Sequence, residues 1–390
     1  MENDRIREIK YFLRALVDDV LAPIFIMDDK KRIKAYNKAV LNLFEIEDKD
    51  ILNKRPGEIF GCKVENDCEH CMLSKRCMEC ELNRLVSFAI DYNKVVENEI
   101  IKKEFELSSN SISRDLRISI RPIKHQHKRF FVVILDDVTE VVALSKKLQA
   151  QNEKMKRDLL LAKGIQNGLL PETGKIGHLK FDYIYRPCET LGGDFIDFYQ
   201  IDSKHVGVIM ADVSGHGLAS SMFTVFLYSL IDRKQKSPAK LLKSIFEEFS
   251  KFKVSSETYI TMFSIVFNIK TNILTIANAG FNNPPAIGRN NGIEILDCAG
   301  IPISNWVEDT EYEEIKTKFK KGERLIMFSD GINEAMDKNG RMVGSELILK
   351  VLSNKKLNGD EVVRQALYEA RIETKTRIKD DITISVIDYV

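Results

Sequence analysis

Apolar and polar positions follow two regimes along the chain. In the first third the runs are short and amphipathic. Pro23-Ile24-Phe25-Ile26-Met27-Asp28 predicts a buried strand, Asp29-Lys30-Lys31 a turn, and Arg32-Ile33-Lys34-Ala35 the return strand. Asn37-Lys38-Ala39, followed by Leu41, Leu43 and Phe44, predicts a short helix. Segments 99–107, 113–123 and 129–135 alternate with period two, the pattern of an antiparallel meander. Beyond residue 170 the apolar runs are more continuous and predict strands over 181–185, 206–211, 261–268, 273–278, 324–329 and 382–387. The runs that feed Asp212 and Asp330 are almost unbroken, as in strands covered on both faces. Helices are predicted over 218–231 and 238–252; in the second, Leu241, Leu242, Ile245, Phe246 and Phe249 recur at helical spacing and form a core stripe. Between the two regimes, 141–170 reads as a charged helix with few breakers. Val141, Leu144, Leu148, Met155, Leu159 and Ala162 lie near one stripe that suits a parallel coiled coil, with polar Gln151 and Asp158 on its seam. The same stripe also suits a single helix packed on its own domain.

Composition narrows the class. A length of 390 residues allows two or three domains, and 44% hydrophobic with 30% charged residues is ordinary for a globular protein. The net charge of +1 gives no reason to expect nucleic acid or an anionic membrane as a partner. No apolar run is long enough to span a bilayer, and Met-Glu-Asn-Asp-Arg lacks the apolar core of a signal peptide, so a cytoplasmic location is expected.

Four segments carry the candidate chemistry: Gly192-Gly193-Asp194, Ala211-Asp212-Val213-Ser214-Gly215-His216-Gly217, Phe328-Ser329-Asp330-Gly331 and Asp380-Asp381-Ile382-Thr383. Each sets a carboxylate at the edge of an apolar run, where a fold can gather them. Carboxylates packed together raise one another's pKa unless a cation sits among them. Oxygen-rich sites suit Mg2+ or Mn2+, whereas Zn2+ more often recruits His or Cys. Taken singly, each Asp-Gly pair is also a simple turn signal.

These segments, in their order, resemble the metal-dependent PPM-type serine/threonine phosphatases in their bacterial SpoIIE/RsbU branch, from about residue 164 to 390. Ile165-Gln166-Asn167-Gly168-Leu169-Leu170-Pro171 resembles the family's lead-in segment, and Ile276-Ala277-Asn278-Ala279-Gly280-Phe281-Asn282 a further motif. The resemblance implies that Asp212 bridges two ions, Mn2+ or Mg2+, with the Val213 carbonyl assisting. It also implies that Asp194 holds a metal directly or through water, and that Asp330 and Asp380 complete the other shell, with Asp381 the one-residue alternative to Asp380. Phe281 departs from the pattern, because many members carry His there. The implied mechanism is direct hydrolysis by metal-activated water, with no Cys or Ser nucleophile. His216, between two glycines, is either a proton donor to the leaving serine oxygen or a turn residue. The implied substrate is a phosphoserine or phosphothreonine of a regulatory protein, an anti-sigma-factor antagonist of STAS type. The rival class is a non-catalytic signalling adaptor.

Five of the seven cysteines, Cys62, Cys68, Cys71, Cys77 and Cys80, fall in a C-x5-C-x2-C-x5-C-x2-C run. Zinc, an iron–sulfur cluster, reversible thiol oxidation and a grouping of small buried thiols are all compatible with that spacing. The run sits inside a segment, roughly 13–140, that resembles a PAS sensor, with Asp137-Val138-Thr139 similar to a PAS exit motif. The expected organisation is therefore α+β. It comprises a PAS-like sensor over 1–140 with its cysteine-rich segment at 62–80, a coiled-coil linker over 141–170, and a phosphatase α/β sandwich over 171–390. The expected assembly is a homodimer through sensor and linker.

Overall fold

In the computed structural model the described residues are 11–12, 14–47, 51–59, 77, 79–107, 110–215, 217–252, 255, 257–333, 335, 344–370 and 378–390. The chain divides into two units, Met1–Glu153 and Lys154–Val390.

In the amino-terminal unit the elements run β1 (Ile24–Asp28), β2 (Ile33–Tyr36), α1 (Lys38–Phe44), α2 (Pro56–Ile59), α3 (Glu81–Tyr92), β3 (Val96–Leu107), β4 (Asn110–His125) and β5 (Lys128–Asp137). They form one antiparallel sheet in the order β2-β1-β5-β4-β3. Period two turns Phe25 and Met27 of β1 inward, where they join Ile118, Ile120, Phe131, Val133 and Leu135 in the core. Buried Asn37 fastens the start of the sheet. Its Oδ1 accepts from the Ile24 N–H at 2.9 Å, and its Nδ2 donates to the carbonyls of Val17, Val20 and Ala22. At the far end, Asp137 accepts from the N–H and hydroxyl of Thr139 and from Arg114 at 2.8 Å. Burial pushes the Asp137 carboxyl up, but these bonds outweigh it and hold the group below the usual carboxylate range.

Thr139 opens α4 (Thr139–Asn167), a 29-residue helix whose first residues belong to the amino-terminal unit and whose last belong to the carboxy-terminal one. Val141, Leu144, Leu148 and Met155 of its apolar stripe are exposed. Among the described residues, no helix is long and apolar enough to cross a membrane.

The carboxy-terminal unit contains β6 (Gly174–Ile176), β7 (Leu179–Arg186), β8 (Asp194–Gln200), β9 (His205–Val213), α5 (Leu218–Leu230), α6 (Pro238–Ser250), β10 (Ile260–Asn268), β11 (Ile273–Ala279), β12 (Ala286–Arg289), β13 (Gly292–Ile295), β14 (Ile315–Lys318), β15 (Arg324–Phe328), α7 (Asp330–Asn333), α8 (Ser345–Leu352), α9 (Gly359–Glu369) and β16 (Ile382–Tyr389). One sheet runs β14-β11-β10-β9-β8 and the other β13-β12-β15-β16-β7-β6. Alternation along the strands builds three cores. On β9, Val206, Val208 and Met210 point between the sheets, while Ile209, Ala211 and Val213 meet Leu227 of α5 and Leu242, Ile245 and Phe249 of α6. On β16, Ile382, Ile384 and Val386 pack under Ile348 and Leu352 of α8 and Val362 and Val363 of α9. The result is an α/β sandwich of two sheets with helices outside each. Within it β8 had no counterpart among the predicted strands, and neither did the short β6, β12, β13 and β14.

Candidate active site

The same alternation that fills the intersheet core with Met210 and Ile196 sends Asp212, two residues after Met210 on β9, and Asp194, two residues before Ile196 on β8, to that face. β8 and β9 are antiparallel, so the start of one lies beside the end of the other, and the register pairs Asp194 directly with Asp212. On the facing sheet, β15 ends just before Asp330 and β16 begins just after Asp381, with Phe328 opposite Ile384. The Ser329 N–H bonds the Thr383 carbonyl at 2.9 Å, and the Thr383 N–H bonds Ser329 Oγ at 2.9 Å. Antiparallel pairing thus explains how aspartates that precede their strands and aspartates that follow them reach one end of the sandwich.

Thr383 joins the two sheets. Its hydroxyl donates to Asp194 Oδ2 at 2.6 Å. Asp194 is buried at 3% exposure, and burial, together with the neighbouring Asp212 charge, pushes its carboxyl well above the ordinary range despite that bond. Asp212 is pushed up to about 7 by burial and then by Asp330, Asp380 and Asp381. Those influences place the other four carboxylates within electrostatic reach of Asp212.

Asp381 is spent on the backbone: its Oδ1 accepts from the Cys188 N–H at 2.7 Å and its Oδ2 from the Gly193 N–H. Asp380 is half-buried, and its Oδ1 accepts from the Asp381 N–H at 2.8 Å. The Val213 N–H donates to the Gly193 carbonyl at 3.2 Å, and a Cβ on Gly193 would lie 2.8 Å from the Val213 carbonyl oxygen, so only glycine allows this approach. At Gly331 a Cβ would lie 2.1 Å from the Asp381 carbonyl oxygen, which is why the Asp330 turn can abut the Asp380-Asp381 pair. The Cys188 thiol is pushed up to about 12 by burial and by Asp381, a protonated group unsuited to nucleophilic attack.

Among the described residues, no three His, Cys, Asp or Glu side chains are arranged as a ready ion-binding cluster. Three of the carboxylates have hydroxyl or backbone partners: Asp194 takes the Thr383 hydroxyl, and Asp380 and Asp381 take backbone N–H groups. The donor set nevertheless fits hard divalent ions: it is made of oxygens, it is acidic, and its two facing members are held with raised pKa values that a cation would relieve.

Of the sequence-predicted site residues, Asp194, Asp212, Val213, Asp330, Asp380 and Asp381 converge, and His216 lies outside the described residues. Phe281 is buried against Phe263, ring centroids 5.0 Å apart, as a core residue. Cys62, Cys68 and Cys71 also lie outside the described residues. Cys80 caps α3, and Lys103 Nζ approaches its Sγ at 3.4 Å; the Cys77 carbonyl accepts from Asn83. Thr383, Ser329 and Gln166 are the polar partners that sequence reasoning missed. Thr383 had a legible signal, since Thr383 and Ser385 are the polar alternates in an otherwise apolar strand.

Comparison with known proteins agrees with this architecture. Residues 202–390 match the Stage II sporulation protein E (SpoIIE) family, and residues 11–79 match a PAS domain. The chain is 31% identical over 184 residues to the phosphoserine phosphatase RsbP of Bacillus subtilis (strain 168), a match that covers 45% of each protein. It is 21% identical over 326 residues to the phosphoserine phosphatase RsbU of the same strain, covering 82% of this chain and 96% of that one. Among solved structures, the SiaA-PP2C domain of Pseudomonas aeruginosa superposes with a TM-score of 0.52 at 20% identity, covering 62% of this chain and 98% of that domain. The chain therefore carries a PAS domain followed by a SpoIIE-family phosphatase domain of PP2C fold.

Proposed function

We propose that the chain is a sensor-regulated protein phosphatase that hydrolyses a phosphoserine or phosphothreonine on a regulatory protein. The observation that carries this reading is the Asp194–Asp212 pair, two carboxylates held face to face on adjacent strands with raised pKa values. Stability alone gives no reason to build such a pair, because uncompensated buried charge costs free energy. Asp194, Asp212, Asp330, Asp380 and the Val213 carbonyl would hold Mn2+ or Mg2+. Asp381 acts as a brace, because backbone N–H groups occupy both its oxygens. Bound divalent ions supply an acidified water and a clamp on the phosphoryl oxygens. The protein's own part is to fix the carboxylates on two rigid strand ends, to orient Asp194 through Thr383, and to keep Cys188 protonated and out of the chemistry.

Resemblance to RsbP and RsbU, both named phosphoserine phosphatases, supports a phosphoserine substrate, for which our candidate is a regulatory protein of STAS type. The exposed apolar stripe of α4 supports a homodimer. The sensor cysteines keep four readings: zinc, an iron–sulfur cluster, thiol redox, or a grouping of small buried thiols. Metal analysis and the ultraviolet–visible spectrum of anaerobically purified protein separate them.

The test is release of inorganic phosphate from a phosphorylated STAS-type protein and from a phosphoserine peptide, with Mn2+ and with chelator. Chelator-sensitive turnover of both is expected. Absence of turnover on either substrate at any divalent ion, with the partner still bound, would favour the adaptor class.

A further inference from the structure

We infer that Tyr185 is a positioning residue whose buried hydroxyl donates to the water that a divalent ion carries into the Asp194 side of the site. The inference rests on the metal-site reading above and adds a contact that the metal-free fold leaves unmade. Tyr185 lies on β7 directly opposite Thr383 of β16, the residue whose hydroxyl donates to Asp194 Oδ2 at 2.6 Å. Its own hydroxyl oxygen is buried and has no hydrogen-bond partner among the described residues. The Gly192 N–H lies near it but is bonded to Gln166 Oε1 at 3.2 Å. The ring borders an open cleft with Tyr183, Leu170 and Pro171, yet the hydroxyl itself is sealed from that cleft, so solvent does not satisfy it.

Acidic oxygens lie beside this hydroxyl. Burial pushes the phenol up, and the charges of Asp381 and Asp194 push it further, so the proton stays on the oxygen as a donor. A Cβ on Gly192 would lie 2.4 Å from Tyr185 Oη and 2.7 Å from Asp381 Oδ2, which puts the two oxygens side by side over one glycine. The carboxylates are already engaged: Asp381 accepts from the Cys188 and Gly193 N–H groups, and Asp194 Oδ2 accepts from Thr383. A phenol can turn its proton but not its oxygen without moving the ring, and β7 is held on both sides, by β16 and by β6. An acceptor must therefore come to the hydroxyl. Hard ions such as Mg2+ dehydrate reluctantly and keep several waters, so an ion held at Asp194 brings such an oxygen with it. A buried donor left unpaired is destabilising, and phenylalanine would fill the same space without it. The hydroxyl contributes in the ion-loaded site rather than in the metal-free fold.

Tyr185→Phe keeps the ring and removes only the hydroxyl. In the full-length chain it is expected to weaken Mn2+ binding by about tenfold in calorimetric titration, the scale of a lost contact to a metal's outer shell. In chelator the same variant should unfold at a denaturant concentration equal to or above that of wild type, because an unpaired buried donor is gone. Tyr183→Phe is the control on the same strand. Its hydroxyl donates to the Pro171 carbonyl at 2.8 Å, so its loss should lower the unfolding midpoint in chelator and leave Mn2+ affinity unchanged. A merely structural role for Tyr185 predicts the pattern of Tyr183. A lowered midpoint of Tyr185→Phe in chelator therefore overturns the inference, since the hydroxyl would then be bonded in the metal-free fold. Wild-type uptake of Mn2+ with equal affinity in Tyr185→Phe overturns this inference alone. Wild-type protein that takes up no Mn2+ overturns the proposed function and this inference together.

Discussion

On the β8–β9 side of the site, Asp194 and Asp212 face each other across a ladder, buried or nearly so, with both carboxyls pushed upward by their surroundings. On the β15–β16 side, Asp330 and Asp380 are half-buried at strand ends, and the fully buried member, Asp381, is satisfied by backbone N–H groups. The first sheet thus holds an electrostatic demand, and the second supplies accessible oxygens and a brace. On the proposed reading, the first sheet would fix Asp194 and Asp212 rigidly and the second would complete the set of oxygens that hold the ions. The sharpest way to break the comparison is Asp212→Asn. We expect it to lower Mn2+-dependent hydrolysis by at least about 1,000-fold, since on the proposed reading Asp212 would hold the ions, while circular dichroism remains native. Near-wild-type turnover would remove Asp212 from that role.

The brace and the ligand on the second sheet should separate cleanly. Asp380→Asn is expected to reduce hydrolysis by about 100-fold with stability unchanged to within about 0.5 kcal/mol. Asp381→Asn should destabilise the fold by about 2–3 kcal/mol, because an amide cannot accept from both the Cys188 and Gly193 N–H groups. Denaturant unfolding of the metal-free variants reads the difference. If Asp380→Asn is the one that unfolds easily, the assignment of ligand and brace is reversed.

Much of this asymmetry was legible beforehand. Apolar runs located the strands that carry Asp212 and Asp330, whereas the bond from Thr383 across to Asp194 was not read from the sequence. What stayed hidden depended on tertiary partners. Strand β8 reads Asp194-Phe195-Ile196-Asp197-Phe198-Tyr199-Gln200, and its second acid argues against a covered strand. The sandwich accommodates Asp197 because Arg233 meets its Oδ2 at 2.6 Å, with the guanidinium 4.2 Å over the Tyr228 ring. No local pattern announces a partner 36 positions away. Gln166 was equally silent: in sequence it is one polar residue on a polar helix, and its bond to Gly192 emerges only from where the helix ends. Strands β12, β13 and β14 are short, and α3, α8 and α9 were not separated from their surroundings by periodicity alone.

The raised carboxyl of Asp212 makes a pH prediction for the metal-free protein. An aspartate ionises near pH 4 when unfolded, whereas Asp212 holds its proton to about 7 in the fold. Between those values the folded state binds more protons than the unfolded state, so stability falls as pH rises through the window and levels off above it. The raised Asp194 acts in the same direction. Melting followed from pH 5 to 8 in chelator should show a loss on the order of 1–3 kcal/mol. Asp212→Asn should flatten the slope, and saturating Mn2+ should oppose it. A slope untouched by Asp212→Asn would mean that the pair is not the source of the strain.

The smallest effect on turnover is expected at Phe281, where related phosphatases often carry histidine. Here the ring is buried at 5% exposure and meets Phe263 edge-on. Its backbone N–H bonds Asn278 Oδ1 at 2.8 Å, and its carbonyl accepts from Asn278 Nδ2 at 3.3 Å. The side chain contributes packing to the intersheet core, and the turn is held by Asn278 whatever residue stands at 281. Phe281→His should therefore keep hydrolysis within about twofold of wild type, while the lost aromatic contact and the buried imidazole cost about 1–2 kcal/mol. Burial disfavours the charged imidazolium, so the cost should deepen below about pH 6.5, where an unfolded histidine takes up a proton that the folded one resists. Melting at pH 5.5 and pH 8 beside steady-state kinetics distinguishes the outcomes. A tenfold change in turnover with no change in melting would place position 281 among the substrate contacts, and the division between a rigid carboxylate pair and an apolar core behind it would have to be redrawn.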